Sequence, residues 1–228
     1  MVSMNTILWE VDAQADFMLP GGALYVPGAE KIIPNLNRLV EQARQSRVLL
    51  ISSADAHQPD DQEFQQWPPH CVKWTAGSEL IPEARAPRLL VIPNQRDFVF
   101  PADLSGHQQI LLEKNTLDVF DNPNTDKLLA QWNASRDSNA ENNLHVLVFG
   151  VVTEYCVLHA ADGLLRRGHR VSIVEDAIQS LDATKGREIL DGLQSRGARL
   201  FTTEQALSLI AGDTVRDAEG KLQKAAGN

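Results

Sequence analysis

Apolar positions along this chain follow two rhythms. Short, mostly apolar runs occur at Ile7-Leu8-Trp9-Glu10-Val11, Val48-Leu49-Leu50-Ile51, Leu89 to Ile92, Gln109 to Leu112, His145 to Phe149 and Val171 to Val174. Between them lie longer segments in which apolar residues return every three to four positions. From Ala29 to Ser46, for example, Ile32, Ile33, Leu36, Leu39, Val40 and Ala43 share one helical face, with Pro34 in the first turns where proline is tolerated. Further helices are predicted over Asp126–Trp132 behind Asn124-Thr125, from a Thr153 cap to about Arg167, over Ala183–Arg196 and near Glu204–Ala211. Gly168-His169 and Gly197 end the second and third of these. Leu200-Phe201 adds a short edge strand. Runs alternating with helices are the mark of βαβ units, and runs without polar alternation belong to strands covered on both faces. The expected fold is a single doubly wound α/β domain over residues 1–212, with a mostly parallel sheet of about six strands flanked by helices. Residues 56–87, with five prolines, are expected to form a long functional loop region with little regular structure. Residues 133–143 are expected as a polar surface insertion, and 213–228 as a loose polar tail.

The 228 residues suit one α/β domain able to bury a large core. Lys and Arg total 21 against 30 Asp and Glu, a net charge of −9. That balance excludes the basic footprint a nucleic-acid binder needs and disfavours docking on anionic lipid. No apolar run approaches the ~20 residues of a membrane helix, and Met1 to Thr6 shows no signal-peptide pattern. Two cysteines, Cys71 and Cys156, cannot build a disulfide framework or a four-thiolate zinc site. The expected compartment is a reducing cytoplasm, where the Asn133-Ala134-Ser135 sequon has no role.

Ligands of such sheets bind beyond the carboxyl ends of the strands. Four strand ends there deliver reactive groups: Asp12, Asp55-Ala56-His57, Glu113-Lys114, and Gly150 through Tyr155 into Cys156. Cys156 in a first helical turn reads either as a nucleophile whose thiol pKa is lowered from about 8.5 by free N–H groups and the helix dipole, or as a small buried hydrophobe. Lys114 would add positive charge, and Asp12 could accept the thiol proton. His159, one helical turn on, is the runner-up base. Asp55, His57 and the later His70 offer one carboxylate and two imidazoles, a set that leaves open positions on zinc or iron; the alternative is a solvated loop. Cys71, next to His70, reads as packing. Trp67 stacks on a flat substrate or simply packs. His107, His145 and His169 flank strands and join no cluster.

On these residues the chain resembles the isochorismatase-like cysteine hydrolase superfamily, in its nicotinamidase branch. The matching stretches are Val11 to Met18 with Gly21-Gly22-Ala23-Leu24, Asp55-Ala56-His57, Trp67-Pro68-Pro69-His70-Cys71-Val72, and Gly150 to Val157. The resemblance implies a catalytic triad of Asp12, Lys114 and Cys156. It implies a divalent metal, zinc with iron or manganese as alternatives, on Asp55, His57 and His70. It also implies ring-sandwiching positions at Phe17 and Trp67, and a non-proline cis bond at Val151-Val152 that orients an amide N–H. A further histidine of nicotinamidases is replaced here by Glu63, a candidate fourth metal ligand. The segment after Lys114, Asn115 to Asn124, departs from the nicotinamidase pattern. The activity implied is hydrolysis of a small carboxamide, nicotinamide or a relative, through a thioester with release of ammonia, by a homo-oligomer. Other members of the superfamily cleave vinyl ethers, carbamates or ureido groups, and a catalytically silent binding homologue would share the scaffold.

Overall fold

The structure, a computed structural model, describes residues 6–135, 143–212, 214–216 and 222–224. Its centre is a sheet of seven strands: β1 (Thr6–Val11), β2 (Leu49–Asp55), β3 (Leu89–Ile92), β4 (Gln109–Lys114), β5 (His145–Val151), β6 (Arg170–Gln179) and β7 (Arg199–Phe201). All pair in parallel, in the order β3-β4-β2-β1-β5-β6-β7. The count exceeds the six main runs because the short Leu200-Phe201 run does pair, against β6. β1, β2 and β5 are buried along their whole length, which is why their sequences lack polar alternation.

Five helices flank the sheet. α2 (Ile33–Arg44) and α6 (Thr203–Ile210) cover one face, where Leu36, Leu39, Val40, Leu209 and Ile210 pack on Leu8, Leu50 and Phe149. α3 (Thr125–Ala134), α4 (Leu158–Arg166) and α5 (Ala183–Ser195) cover the other, where Leu128, Leu164 and Leu193 pack with Trp9, Ile51, Val148 and Ile173. A one-turn helix, α1 (Ala15–Met18), follows β1 directly. Asp182 caps α5 through the N–H groups of Thr184 and Lys185, and Thr202 caps α6 in a reciprocal box with Gln205. Ala29–Ile32 form a 3-10 turn leading into α2 rather than its first α-helical residues. The proline-rich region holds only three short 3-10 turns, at Gln62–Gln65, Ala76–Ser78 and Pro82–Ala84.

Two expectations need correction. Thr153 does not cap a helix: its hydroxyl donates to the Gln179 carbonyl at 3.0 Å, and Thr153–Val157 form a wide π turn ahead of α4. The C-terminal tail is not uniformly loose, because β8 (Thr214–Arg216) and β9 (Leu222–Lys224) pair antiparallel over three residues each. Most of the 133–143 insertion lies outside the described residues.

The strand order places a switch point between β1 and β5: β2 to β4 lie on one side and β5 to β7 on the other. Here the two strands approach unusually closely. Gly150 has φ +118°, and a Cβ on it would lie 2.1 Å from the Val11 carbonyl oxygen, so only glycine fits. No described helix is long and apolar enough to cross a membrane.

Glu10 sits in the middle of β1, fully buried, where Ser52 Oγ donates to it at 2.9 Å. Burial pushes its pKa up to about 8. A carboxyl raised in the folded state favours folding below its unfolded pKa and loses that contribution as pH rises towards 8. The wild type is therefore expected to lose about 4 kcal/mol from this group between pH 4.5 and pH 8. Glu10→Gln should flatten that decline in urea-unfolding free energies measured across this range. An identical slope in both proteins would show that Glu10 is ionised in the fold.

Candidate active site

The residues forecast at the strand ends converge at the switch point. Asp12 follows β1 directly in a left-handed conformation, φ 51°, that turns its carboxylate back over the strand ends. Its Oδ1 accepts from Ser53 Oγ at 2.7 Å. Asp55 and Lys114 are register partners at the ends of β2 and β4. The Lys114 ammonium, 1% exposed, lies 2.9 Å from Asp12 Oδ2, pairs with Asp55 Oδ1, and donates to Cys156 Sγ at 3.4 Å. The thiol lies beside the Asp12 carboxylate. Cys156 sits inside the π turn after β5, and the Val151–Val152 peptide bond before that turn is cis.

Burial raises the Asp12 pKa, with Asp55 adding to the rise and Lys114 opposing it. Asp12 is thus a better proton acceptor than an ordinary carboxylate. Burial would also raise Asp55, but Lys114 and the two histidines outweigh it and hold that carboxyl far below its usual value. Lys114 is held charged by Asp12 and Asp55 against the cost of burial. The expected lowering of the Cys156 thiol pKa is not found. Burial pushes it well up, and the neighbouring Asp12 charge pushes it further, outweighing Lys114. Both causes favour the thiol over the thiolate in the resting site. Asp12, Lys114 and Asp55 are the charged groups that act on the thiol, and His159 is not among them.

Beside this group, ligand atoms of Asp55, His57 and His70 lie within 4.8 Å of one another, all three residues buried. Asp55 Oδ2 is 3.8 Å from His57 Nε2 and 3.7 Å from His70 Nε2. His70 Nδ1 lies 2.8 Å from the Pro68 carbonyl and His57 Nδ1 lies 3.0 Å from Asp61 Oδ2. The carbonyl contact puts the His70 ring proton on Nδ1 and leaves its Nε2 as a lone pair. Both ring nitrogens of His57 are buried without a hydrogen-bond partner among the described residues. Two imidazoles and a carboxylate in this arrangement fit a divalent transition metal such as zinc, iron or manganese. Glu63 falls outside the trio but lines the adjoining cleft, where burial and nearby Asp55 raise its pKa.

The cleft leads down to Asp12, Asp55 and Cys156, and its cavity volume is about 60 Å³. Phe17 and Trp67 both line it, and Trp67 meets Tyr155 edge-on with ring centroids 5.6 Å apart. Leu24, Tyr25, Leu117 and Tyr155 also line it and were not foreseen. Cys71 is a packing residue: its thiol is buried, and burial raises its pKa far above the ordinary value.

Three polar residues that organise the site also went unforeseen. Gln14 grips β2, donating to the Asp55 carbonyl at 2.8 Å and accepting from the Asp55 N–H at 2.7 Å. Asp16 ties two loops together by accepting from the N–H groups of Ala23 and Cys71. Asp61, which caps the Gln62–Gln65 turn four residues after His57, places its carboxylate 3.0 Å from His57 Nδ1. The only trace of them in the sequence is spacing, two and four residues from Asp12 and four from His57. Outer partners of this kind are worth about 10–100-fold in metal affinity. Asp61→Asn should therefore weaken zinc binding by roughly that factor in calorimetric titration of the stripped protein; unchanged affinity would remove Asp61 from the metal site.

Comparison with known proteins agrees with this geometry. The Isochorismatase domain family matches residues 6–205. The nicotinamidase of Escherichia coli strain K12 is 23% identical over 214 residues, covering 84% of this chain and 92% of that protein. A crystal structure of the pyrazinamidase of Pyrococcus horikoshii in complex with zinc superposes with a TM-score of 0.68 at 25% identity, over 87% of this chain and 99% of that one. N-carbamoylsarcosine amidase from Thermoplasma acidophilum superposes with a TM-score of 0.65 at 25% identity, over 88% and 97%. With a family match over most of its length and this arrangement of strand ends, the chain belongs to the isochorismatase domain family, on its nicotinamidase- and pyrazinamidase-like branch.

Proposed function

We propose that this protein is a cysteine-dependent amidohydrolase that cleaves a small carboxamide, nicotinamide or a relative, through a thioester and releases ammonia. The observation that carries the reading is the contact of three buried reactive heads, Asp12, Lys114 and Cys156, at the floor of a cleft walled by aromatic rings. As sulfur attacks the carbonyl carbon, Asp12 takes the thiol proton, so no free thiolate has to be held in the resting site. Lys114 balances the negative charge that passes from Asp12 to sulfur. The backbone N–H groups of Val152 and Cys156 hold the oxyanion; one such donor is typically worth about 3 kcal/mol. Asp12 then returns its proton to the departing amine, which leaves as ammonia. It next deprotonates the water that cleaves the thioester, giving the carboxylic acid and the free thiol.

Asp55, His57 and His70 would hold the divalent cation. When bound, that ion supplies a Lewis acid for a ring nitrogen or other heteroatom of the substrate. Phe17 and Trp67 would flank a flat ring, and Glu63 would present a further oxygen to the ion or to the substrate. Two unpaired cysteines fit a reducing compartment such as the cytoplasm, and assembly as a homo-oligomer is part of the same proposal.

A second reading replaces the carboxamide by an N-carbamoyl compound. It is favoured by the departure at Asn115 to Asn124, since Leu117 of that segment lines the cleft. Ammonia release from a panel of aromatic carboxamides and N-carbamoyl amino acids, with metal-stripped and zinc-, manganese- or iron-reloaded protein, separates the two. Nicotinamide or a close aromatic carboxamide is expected to be the best substrate, with turnover dependent on reloading. Release only from N-carbamoyl compounds would transfer the assignment, and no release from either set would overturn it.

A further inference from the structure

We propose that the amino-terminal edge of β5, β6 and β7 carries an oxyanion site for a phosphate group, free or esterified. This edge lies at the opposite end of the sheet from Cys156, separated by the length of β5, about 20 Å. It holds a pocket of about 250 Å³ whose polar lining is Arg170, Arg196, Arg199, His145, His169 and Ser172. The other lining residues are apolar or glycine, and no described carboxylate is among them. In a chain of net charge −9, three arginines line this one cavity and no described carboxylate does.

The three arginines are not equally committed elsewhere. Arg196 is turned partly away: it pairs with Asp162 and donates from Nε to the Gly192 carbonyl at 3.1 Å. Arg170, at the start of β6, has its Nε buried with no hydrogen-bond partner among the described residues. A buried guanidinium N–H without an acceptor is costly, and an incoming oxyanion would satisfy it. His145 Nε2 lies 2.9 Å from Ser172 Oγ, so hydroxyl and ring form one polar pair on the pocket wall. His169 Nδ1 accepts from the Leu144 N–H at 3.3 Å, which leaves its other ring nitrogen as the N–H donor. Burial, with the charges of Arg170 and Arg199, holds His145 neutral, down to about 3. The pocket therefore offers forked, fixed positive charge and neutral donors. That combination suits a tetrahedral dianion better than a single carboxylate, because guanidinium forks match two phosphate oxygens at once.

The test is calorimetric titration of the EDTA-treated full chain with inorganic phosphate at constant ionic strength. Sodium acetate and phenyl phosphate serve as parallel titrants. Wild type is expected to bind one phosphate, and Arg170→Gln to weaken it roughly tenfold or more. Arg170→Lys, which keeps the charge but not the fork, should bind more weakly than wild type and more tightly than Arg170→Gln. This conservative variant, with circular dichroism of each protein, guards against a folding defect. Cys156→Ala should bind phosphate as wild type does, which separates this pocket from the catalytic cleft. Phenyl phosphate binding alongside inorganic phosphate would show that esters are admitted; binding of inorganic phosphate alone would confine the site to the free ion. Absence of phosphate binding by wild type, equal affinity in Arg170→Gln, or equal binding of acetate would each overturn the proposal.

Discussion

Cys156→Ala is expected to abolish amide turnover while leaving the fold standing. The sulfur is the atom that forms the thioester, and no other nucleophile in the cleft touches both Asp12 and Lys114. Nucleophile and proton acceptor act as a unit, so loss of either removes nearly the whole chemical rate, by about four orders of magnitude or more in kcat. The structural cost should be small. Removing one sulfur atom leaves a small void at the cleft floor, and the ion pairs of Lys114 with Asp12 and Asp55 stay closed. Substrate affinity should be retained, because the aromatic walls and the metal trio do not involve the thiol. The measurement is kcat and KM for the best amide, with the thermal midpoint recorded beside them. Asp12→Asn should fall comparably. More than about one per cent of wild-type kcat in metal-loaded Cys156→Ala would mean that the sulfur is not the nucleophile.

How much of this site the sequence discloses depends on the kind of residue. The apolar runs give the strands because burial on both faces removes polar alternation, and Gly197 ends α5 in the left-handed conformation its place demands. Asp12, Asp55, His57, His70, Lys114 and Cys156 are legible because each stands at or beyond a strand end, where a fold of this type gathers ligands. What links them is not legible. β4 lies next to β2 with β3 outside it, an order that the chain sequence does not state, and only that order makes Asp55 and Lys114 register partners. The thiol pKa is misjudged for a related reason. Position in a first turn argues for lowering, whereas burial and the apposed Asp12 arise only from the tertiary fold. Gln14, Asp16 and Asp61 look like any polar loop residue until the loops are closed. The Thr153 hydroxyl turns to the Gln179 carbonyl because the wide turn after Val152 replaces an ordinary helix start.

The shared lysine makes the second large effect. Lys114→Met should both inactivate the protein and destabilise it, because this one ammonium neutralises two buried carboxylates from different strands. Removing one partner of a buried ion pair typically costs about 3–5 kcal/mol, and here two acids lose theirs at once. Without Lys114, Asp12 and Asp55 face each other in a dry site, so both folded pKa values should rise above the unfolded value near 4. A raised carboxyl favours the fold at low pH and penalises it as pH climbs. The deficit relative to wild type should therefore be largest at pH 7–8 and shrink towards pH 4, measured by urea unfolding of metal-stripped protein. Catalysis and stability can then be separated. Lys114→Met/Asp55→Asn carries one buried acid fewer and should recover much of the lost stability, with a coupling energy well above the scatter of independent sites. It should recover no turnover, since nothing then balances the charge moving from Asp12 to Cys156. A Lys114→Met protein with an unchanged unfolding midpoint would mean that the two carboxylates are not ionised together in the fold. One with normal kcat would take the ammonium out of the reaction altogether.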